Sequence, residues 1–303
     1  MPEALNEERC WKSRVEEPTN RFVYYPLSRF VVRWLAKTPV TPNQVTLIQP
    51  FIAAAAGYLI AMGDPTSLVL GAVTFELRSF LDCVDGGLAR AKKMSSPGGH
   101  ALDALCDWLG VVFLYLGILV HFFRFPPHAG AWSPYLSVTA VLVIAGVQGA
   151  VRSAGADYYM RKFNSILGEG RDATVEHLRT LVRTAKRPLE RAEAAIGLGQ
   201  HILFEQARFC PERTPSLDDD QVQALRDTRQ GPAMKTIALL WSVSNGDAFI
   251  RLNVISLFFG SYWMWELQLF WITGGVVWIA AVLGISSWYL RRTFDAAAAP
   301  VEA

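Results

Sequence analysis

Charge is scarce in this chain. Of its 303 residues only 18% are Asp, Glu, Lys or Arg, against about 25% in an ordinary soluble domain. The net charge of +2 is too small to argue for a nucleic-acid partner. Cysteine is scarce too: 4 residues in a chain this long exclude a disulfide scaffold. Cys83 and Cys106 fall in apolar stretches and Cys10 and Cys210 in polar ones, which fits a reduced compartment. Residues 1–20 are polar and charged, so no cleavable signal is expected there. Internal repeats and low-complexity tracts are lacking. What fills the chain is apolar: 51% hydrophobic residues, mean hydropathy +0.22, 10 Trp and 17 Phe. Intrinsic disorder is excluded by that content, which suits a protein whose solvent is partly lipid.

The apolar residues come in blocks. Val45–Met62, Trp108–Phe123, most of Trp132–Val151, and Leu267–Leu290 are nearly free of charge. Crossing a bilayer takes about 20 apolar residues in a helix. Two further stretches are long enough but carry charge. Thr66–Leu88 contains Glu76, Arg78, Asp82 and Asp85, and Ile237–Tyr262 contains Asp247 and Arg251. The expected architecture is all-α and polytopic, with six transmembrane helices. Basic residues cluster before the first span (Arg9 to Lys37), between spans two and three (Arg90, Lys92, Lys93), between spans four and five, and after span six (Arg291, Arg292). The opposite loops hold only Arg124, so the positive-inside rule places both termini and the long loop in the cytoplasm. A bacterial inner membrane is the expected location.

Five segments follow. Residues 1–43 form a cytoplasmic lead-in, 44–161 hold spans one to four, 162–235 form a cytoplasmic helical insert, 236–292 hold spans five and six, and 293–303 are a tail. Within the lead-in, Arg29, Arg33 and Lys37 share one helical face of Arg21–Lys37, while Phe22, Leu27, Phe30, Val31, Trp34 and Leu35 cover much of the rest. That pattern predicts an amphipathic helix lying in the membrane interface. In the insert, Val175–Ala194 and Gln221–Arg229 read as polar helices, with a helix start at Ser216 to Asp219. The acidic run Asp218, Asp219 and Asp220 reads as a solvated first turn, not a metal site.

The chemistry concentrates between Asp82 and Asp107. Asp82 and Asp85 stand i, i+3 near the end of span two, and Asp103 and Asp107 stand i, i+4 at the start of span three. Each spacing puts both carboxylates on one helix face. The short link Lys92–Gly98 turns the chain back, so the pairs are expected to face each other. Carboxylates in a span are costly and usually functional, and Arg90 is the one counter-charge expected nearby. Oxygen-seeking Mg²⁺ or Mn²⁺ is the natural partner, and four carboxylates can hold two ions, an arrangement suited to attack on phosphorus. Gly86, Gly87 and Ala89 keep the helix surface low for a bulky phosphate-bearing ligand, and Arg90 offers a planar fork to phosphate oxygens.

Asp82-x2-Asp85-Gly86-x2-Ala89-Arg90-x8-Gly99-x3-Asp103-x3-Asp107 resembles the signature of the CDP-alcohol phosphotransferase family at every fixed position. Thr41-Pro42-Asn43-Gln44-Val45-Thr46 resembles the stretch before that family's first helix. The resemblance covers about Thr41–Asp107, and the insert at 162–235 departs from the compact members. It implies that CMP is displaced from a CDP-linked alcohol, often CDP-diacylglycerol, by the hydroxyl of an acceptor alcohol, in phospholipid biosynthesis. It also implies that Asp82, Asp85 and Asp103 are metal ligands, and that Asp107 both touches metal and takes the proton of the attacking hydroxyl. Asn43, Gly86, Arg90 and Ser96 would contact the CDP group. Members commonly form homodimers.

A CDP-headgroup donor of the choline or ethanolamine type, with a lipid alcohol as acceptor, is the alternative within the family. Outside it stand an intramembrane prenyltransferase and a divalent-cation transporter. Arg152, at the end of span four, resembles an Arg found in members whose acceptor carries a phosphate. Arg251 shares a face with Asp247 in span five. Both are expected to reach an anionic acceptor if they face the Asp cluster.

Overall fold

The computed structural model describes residues 17–127, 138–169, 172–206, 218, 220, 221, 223 and 232–298. Secondary structure among them is helical throughout. A π-helical turn, Asn20–Tyr24, runs into α1 (Tyr25–Leu35); α2 (Pro42–Met62), α3 (Pro65–Ala91), α4 (Pro97–Arg124) and α5 (Val138–Glu169) follow. Then come α6 (Thr174–Thr184), α7 (Pro188–Gln206), α8 (Pro232–Ser242), α9 (Gly246–Phe258), α10 (Ser261–Ile272) and α11 (Gly274–Ala298). Among the described residues four stretches are long and apolar enough to cross a membrane: Pro42–Met62, Pro97–Arg124, Val138–Lys162 and Gly274–Arg292. The protein is thus an integral membrane protein, all-helical among the described residues.

The expected fifth and sixth spans are broken. Ile237–Tyr262 divides into α8 and α9 at Val243–Asn245, and Leu267–Leu290 divides into α10 and α11 at Thr273. Asn-Gly and Thr-Gly-Gly at these points favour turns over helix, which a hydropathy window does not register. At the first break Arg152 takes up a backbone carbonyl, donating to that of Ser244 at 3.3 Å, and Trp278 Nε1 donates to the Ser244 hydroxyl at 2.8 Å. The polar stretch Val175–Ala194 likewise divides between α6 and α7, because Pro188 begins a new helix. Ser216, Asp219 and 224–229 lie outside the described residues. Asp218 makes a reciprocal pair with Gln221: the Gln221 amide donates to Asp218 Oδ1 at 2.8 Å, and the Asp218 amide to Gln221 Oε1 at 3.1 Å.

The described residues fall into two compact units. One comprises Pro18–Gly149 and Asp247–Val276. Its main core gathers Ala53, Ala56, Ile60, Leu68, Phe75, Leu114, Ile118, Phe122, Leu257 and Trp265. Here α2 and α4 cross closely: a methyl group on Gly117 would come 2.5 Å from the Gly57 carbonyl oxygen. Only glycine permits that approach. Gly63, at φ +86°, ends α2, and Asp64 starts α3 by accepting from the Ser67 amide at 3.0 Å.

The other unit comprises the described parts of Ala150–Gly246 and Val277–Ala303. Its core joins Tyr158, Tyr159, Phe204, Trp241, Val282 and Leu283. Beside it Lys162, 2% exposed, bridges Asp172 Oδ2 at 2.8 Å and Glu205 Oε1 at 3.0 Å.

Candidate active site

The site lies in the unit formed by Pro18–Gly149 and Asp247–Val276, where α2, α3 and the start of α4 meet. Thr41 starts α2 with a capping box. Its side chain accepts from the Gln44 amide, Gln44 Oε1 accepts from the Thr41 amide at 2.9 Å, and Pro42 occupies the first turn. Ser96 starts α4 in the same manner, its hydroxyl accepting from the Gly99 amide at 3.1 Å. Between α3 and α4 the chain turns through Lys93, whose φ is +55°. Lys92 pins this turn by donating to the carbonyls of Thr38 at 2.6 Å and Val40 at 2.7 Å. Both helix starts are therefore fixed against one polar connector.

A cavity of about 200 Å³ opens between them. Its walls include Asn43, Thr46, Asp85, Gly86, Ser96 and Asp103. Asn43 and Ser96 converge over Gly99: a methyl group there would lie 3.1 Å from Ser96 Oγ and 3.3 Å from Asn43 Oδ1. At Gly86, among the described residues and apart from the helix's own backbone, such a group would meet Arg90 Nη1 alone, at 3.6 Å, so this floor is open to a ligand. Gly87 differs. It does not line the cavity but receives Val32 of α1, whose Cγ2 would lie 3.0 Å from an added methyl group. The low surface expected from the two glycines together thus serves two ends, ligand access at Gly86 and helix packing at Gly87.

Asp82, Asp85 and Asp103 each bring a carboxylate oxygen within 4.8 Å of the others. This all-oxygen donor set, spread over two helices, suits a hard divalent cation. Asp85 is 4% exposed, and its Oδ2 accepts from the Thr46 hydroxyl at 2.6 Å and from Gln49 Nε2 at 2.7 Å. These hydrogen bonds fix the carboxylate's rotamer, the usual task of groups behind a metal ligand.

The fourth carboxylate has a cationic partner. Asp107 forms an ion pair with Arg78, one turn before Asp82 on α3. Arg78 is buried, lies against Gly110 and approaches the face of Phe75 at 5.9 Å. The expectation that Arg90 is the one counter-charge is therefore corrected: Arg78 supplies another, and Arg90 is exposed beside Gly86. Hydropathy and spacing marked Arg78 only as a charge in a span. Thr46 and Gln49 were open to notice as polar residues at i, i+3 within an apolar run, a pattern that puts both on one helix face.

The two arginines considered for the acceptor lie in different units. Arg251 pairs with Glu76, donates to Tyr24 Oη at 3.2 Å and to Asn20 Oδ1 at 3.1 Å, and lies 4.9 Å from the Tyr24 ring centroid. Arg152, 1% exposed, belongs to the other unit and donates to Ser244.

Apolar helices carrying an oxygen-donor cluster beside a cavity define a membrane protein with a candidate site for a hard cation. The likeness to known proteins covers less than half of the chain. Residues 10–142 match the family described as ceramide phosphoethanolamine synthase. The chain is similar to the ceramide phosphoethanolamine synthase of Drosophila melanogaster, 33% identical over 129 residues, which cover 39% of this chain and 33% of that protein. It is also similar to the bifunctional IPC transferase and DIPP synthase of Rubrobacter xylanophilus, 40% identical over 90 residues, 30% of this chain and 20% of that protein. The archaetidylinositol phosphate synthase of Pyrococcus horikoshii is 34% identical over 96 residues, 32% of this chain and 49% of that protein. The chain thus spans half or less of each of these relatives.

Proposed function

We propose that the protein is a divalent-metal-dependent CDP-alcohol phosphotransferase that releases CMP and makes a phosphodiester lipid. The observation that carries this reading is the cluster of Asp82, Asp85 and Asp103 at the wall of a cavity shared with Asn43, Gly86 and Ser96. Asp82, Asp85 and Asp103 would hold Mg²⁺ or Mn²⁺, which when bound neutralises the diphosphate and the charge that develops on departing CMP. Asn43, Gly86 and Ser96 receive the CDP group, and Arg90 supplies its fork to a phosphate oxygen. Asp107 takes the proton of the acceptor hydroxyl. The acceptor oxygen then bonds to phosphorus, the phosphorus–oxygen bond to CMP breaks, and CMP leaves with that electron pair.

The donor we favour is a CDP-linked headgroup of the ethanolamine type, with a lipid alcohol as acceptor. The match of residues 10–142 to a family named for ceramide phosphoethanolamine synthase supports it. CDP-diacylglycerol is the second reading, supported by the likeness to an archaetidylinositol phosphate synthase. Arg152 and Arg251 as acceptor contacts draw less support, since Arg251 already meets Glu76, Tyr24 and Asn20.

Six membrane crossings, with the site and both termini cytoplasmic, agree with the distribution of basic residues. An interfacial α1 agrees with the exposure of Leu27, Phe30 and Trp34 (55%, 78% and 67%) while Val32 packs inward. Supplying the purified chain with CDP-ethanolamine plus ceramide or diacylglycerol, and separately with CDP-diacylglycerol plus an acceptor panel, distinguishes the donors by which pair yields CMP and a new lipid. Ion flux across vesicles without CMP release would replace the transferase reading with that of a cation transporter.

A further inference from the structure

Asp107 has two carboxylate oxygens in different situations. Oδ1 is held by Nη2 of Arg78, while Oδ2 makes no hydrogen bond among the described residues, and the side chain is 45% exposed. The guanidinium that holds Oδ1 is itself confined. Arg78 is 6% exposed, and its Nε, Cζ and Nη2 would lie 3.0, 3.2 and 3.3 Å from a methyl group on Gly110. Gly110 stands less than one turn beyond Asp107 on α4, so the missing side chain leaves the slot through which Arg78 crosses from α3 to α4. The ring of Phe75, fully buried, flanks the guanidinium.

A surface arginine would be free to leave its partner, whereas a buried one that left would strand its charge at a cost of several kcal/mol. The clamp is therefore fixed before any ligand arrives.

We propose that Arg78 is the positioning residue for Asp107: by clamping Oδ1 it leaves Oδ2 as the single oxygen that accepts the proton from the acceptor hydroxyl. This rests on the transferase reading above. The step balances: the acceptor O–H bond breaks, its proton goes to Oδ2, and the freed electron pair forms the bond to phosphorus. Arg78 itself touches neither substrate nor proton. Its effect passes through Asp107, and a misplacement of about 1 Å can cost on the order of 10²-fold in rate.

The test uses the full chain in nanodiscs, with kcat and donor KM from CMP release and Mn²⁺ affinity from electron paramagnetic resonance. Arg78→Gln is expected to lower kcat about tenfold or more, while donor KM and Mn²⁺ affinity stay within about threefold. Arg78→Lys should recover part of the loss. In an Asp107→Asn background, Arg78→Gln should cost nothing further, because the group it positions is already gone. An undiminished effect in that background, or Mn²⁺ affinity falling in step with kcat, would overturn the proposal. If Arg78→Gln does not fold, Gly110→Ala decides: it displaces the guanidinium and keeps its charge, so kcat should fall at constant donor KM, and a wild-type kcat overturns the clamp. Failure of the transferase reading looks different, since the wild-type chain would then release no CMP from any CDP-alcohol.

Discussion

The Thr46 hydroxyl donates to Asp85 Oδ2 at 2.6 Å, so α2, which contributes no carboxylate to the cluster, orients one that belongs to α3. Gln49 adds a second hydrogen bond to the same oxygen at 2.7 Å. Removing either should loosen Asp85 without deleting a ligand. Thr46→Val and Gln49→Leu are each expected to weaken Mn²⁺ binding about 10–100-fold, read by a metal titration of the folded chain. An unchanged affinity would reduce both to packing residues.

The carboxylates themselves should tolerate no neutral replacement. Asp82→Asn, Asp85→Asn and Asp103→Asn are each expected to abolish CMP release while leaving expression and size-exclusion behaviour intact. Their neighbours then keep their packing, and only a charge is lost from the donor set. Full activity in any of the three would remove that residue from the site.

Asp107→Asn should separate binding from turnover. The amide keeps an oxygen but cannot take a proton, so turnover should fall on the order of 10²–10⁴ while CDP-alcohol binding falls far less. Equal losses would make Asp107 solely a ligand and leave the proton without its acceptor.

The close crossing of α2 and α4 predicts a stability effect remote from the cavity. Gly117→Ala drives a methyl group toward the Gly57 carbonyl, and overpacking of this kind costs about 1–3 kcal/mol. Gly146→Ala, with nothing within 4 Å of its added methyl group, is the matched control. Thermal unfolding in detergent should lower the midpoint for the first variant and not for the second.

Acid should loosen the 162–206 region before it touches the rest. His201 is 2% exposed and lies 4.6 Å from the Tyr158 ring. Burial holds its imidazole below the usual value; Glu205 and Asp172 pull it up, and Lys162 and Arg161 push it down. A depressed folded value means that the unfolded state binds the proton more readily, so stability is lost as pH falls through and below the ordinary His value of about 6.5. Burial disfavours ionised Asp172, yet Lys162 and Thr174 hold it below the carboxylate range. Its contribution has the same sign and is present above about pH 3.9. Hydrogen exchange of α7 should accelerate between pH 7.5 and 5.5 beyond the intrinsic trend, and His201→Phe should remove that excess.

Much of the site was legible because ionisable residues in apolar runs stand out. Asp82, Asp85 and Asp103 did so, and the structure brings them together. Spacing along one helix cannot tell which residue of the next helix a long side chain will meet. The pairing of Arg78 with Asp107 therefore depends on how α3 lies against α4, and on Gly110 leaving room. The breaks at Val243–Asn245 and Thr273 were missed for another reason. A window average is dominated by Leu, Trp and Val, whereas the backbone responds to single residues such as Asn245, Gly274 and Gly275. The division between Gly86 and Gly87 was equally hidden, since only the position of α1 shows that Val32 fills the second.

The most direct measurement is CMP released by the purified chain from CDP-ethanolamine with ceramide or diacylglycerol, followed with Mn²⁺ present and again in excess chelator, alongside CDP-diacylglycerol with an acceptor panel. The account predicts metal-dependent CMP release matched one for one by a new phosphodiester lipid, lost in Asp85→Asn. No CMP from any of these CDP-alcohols, or release that persists undiminished in chelator, would contradict it.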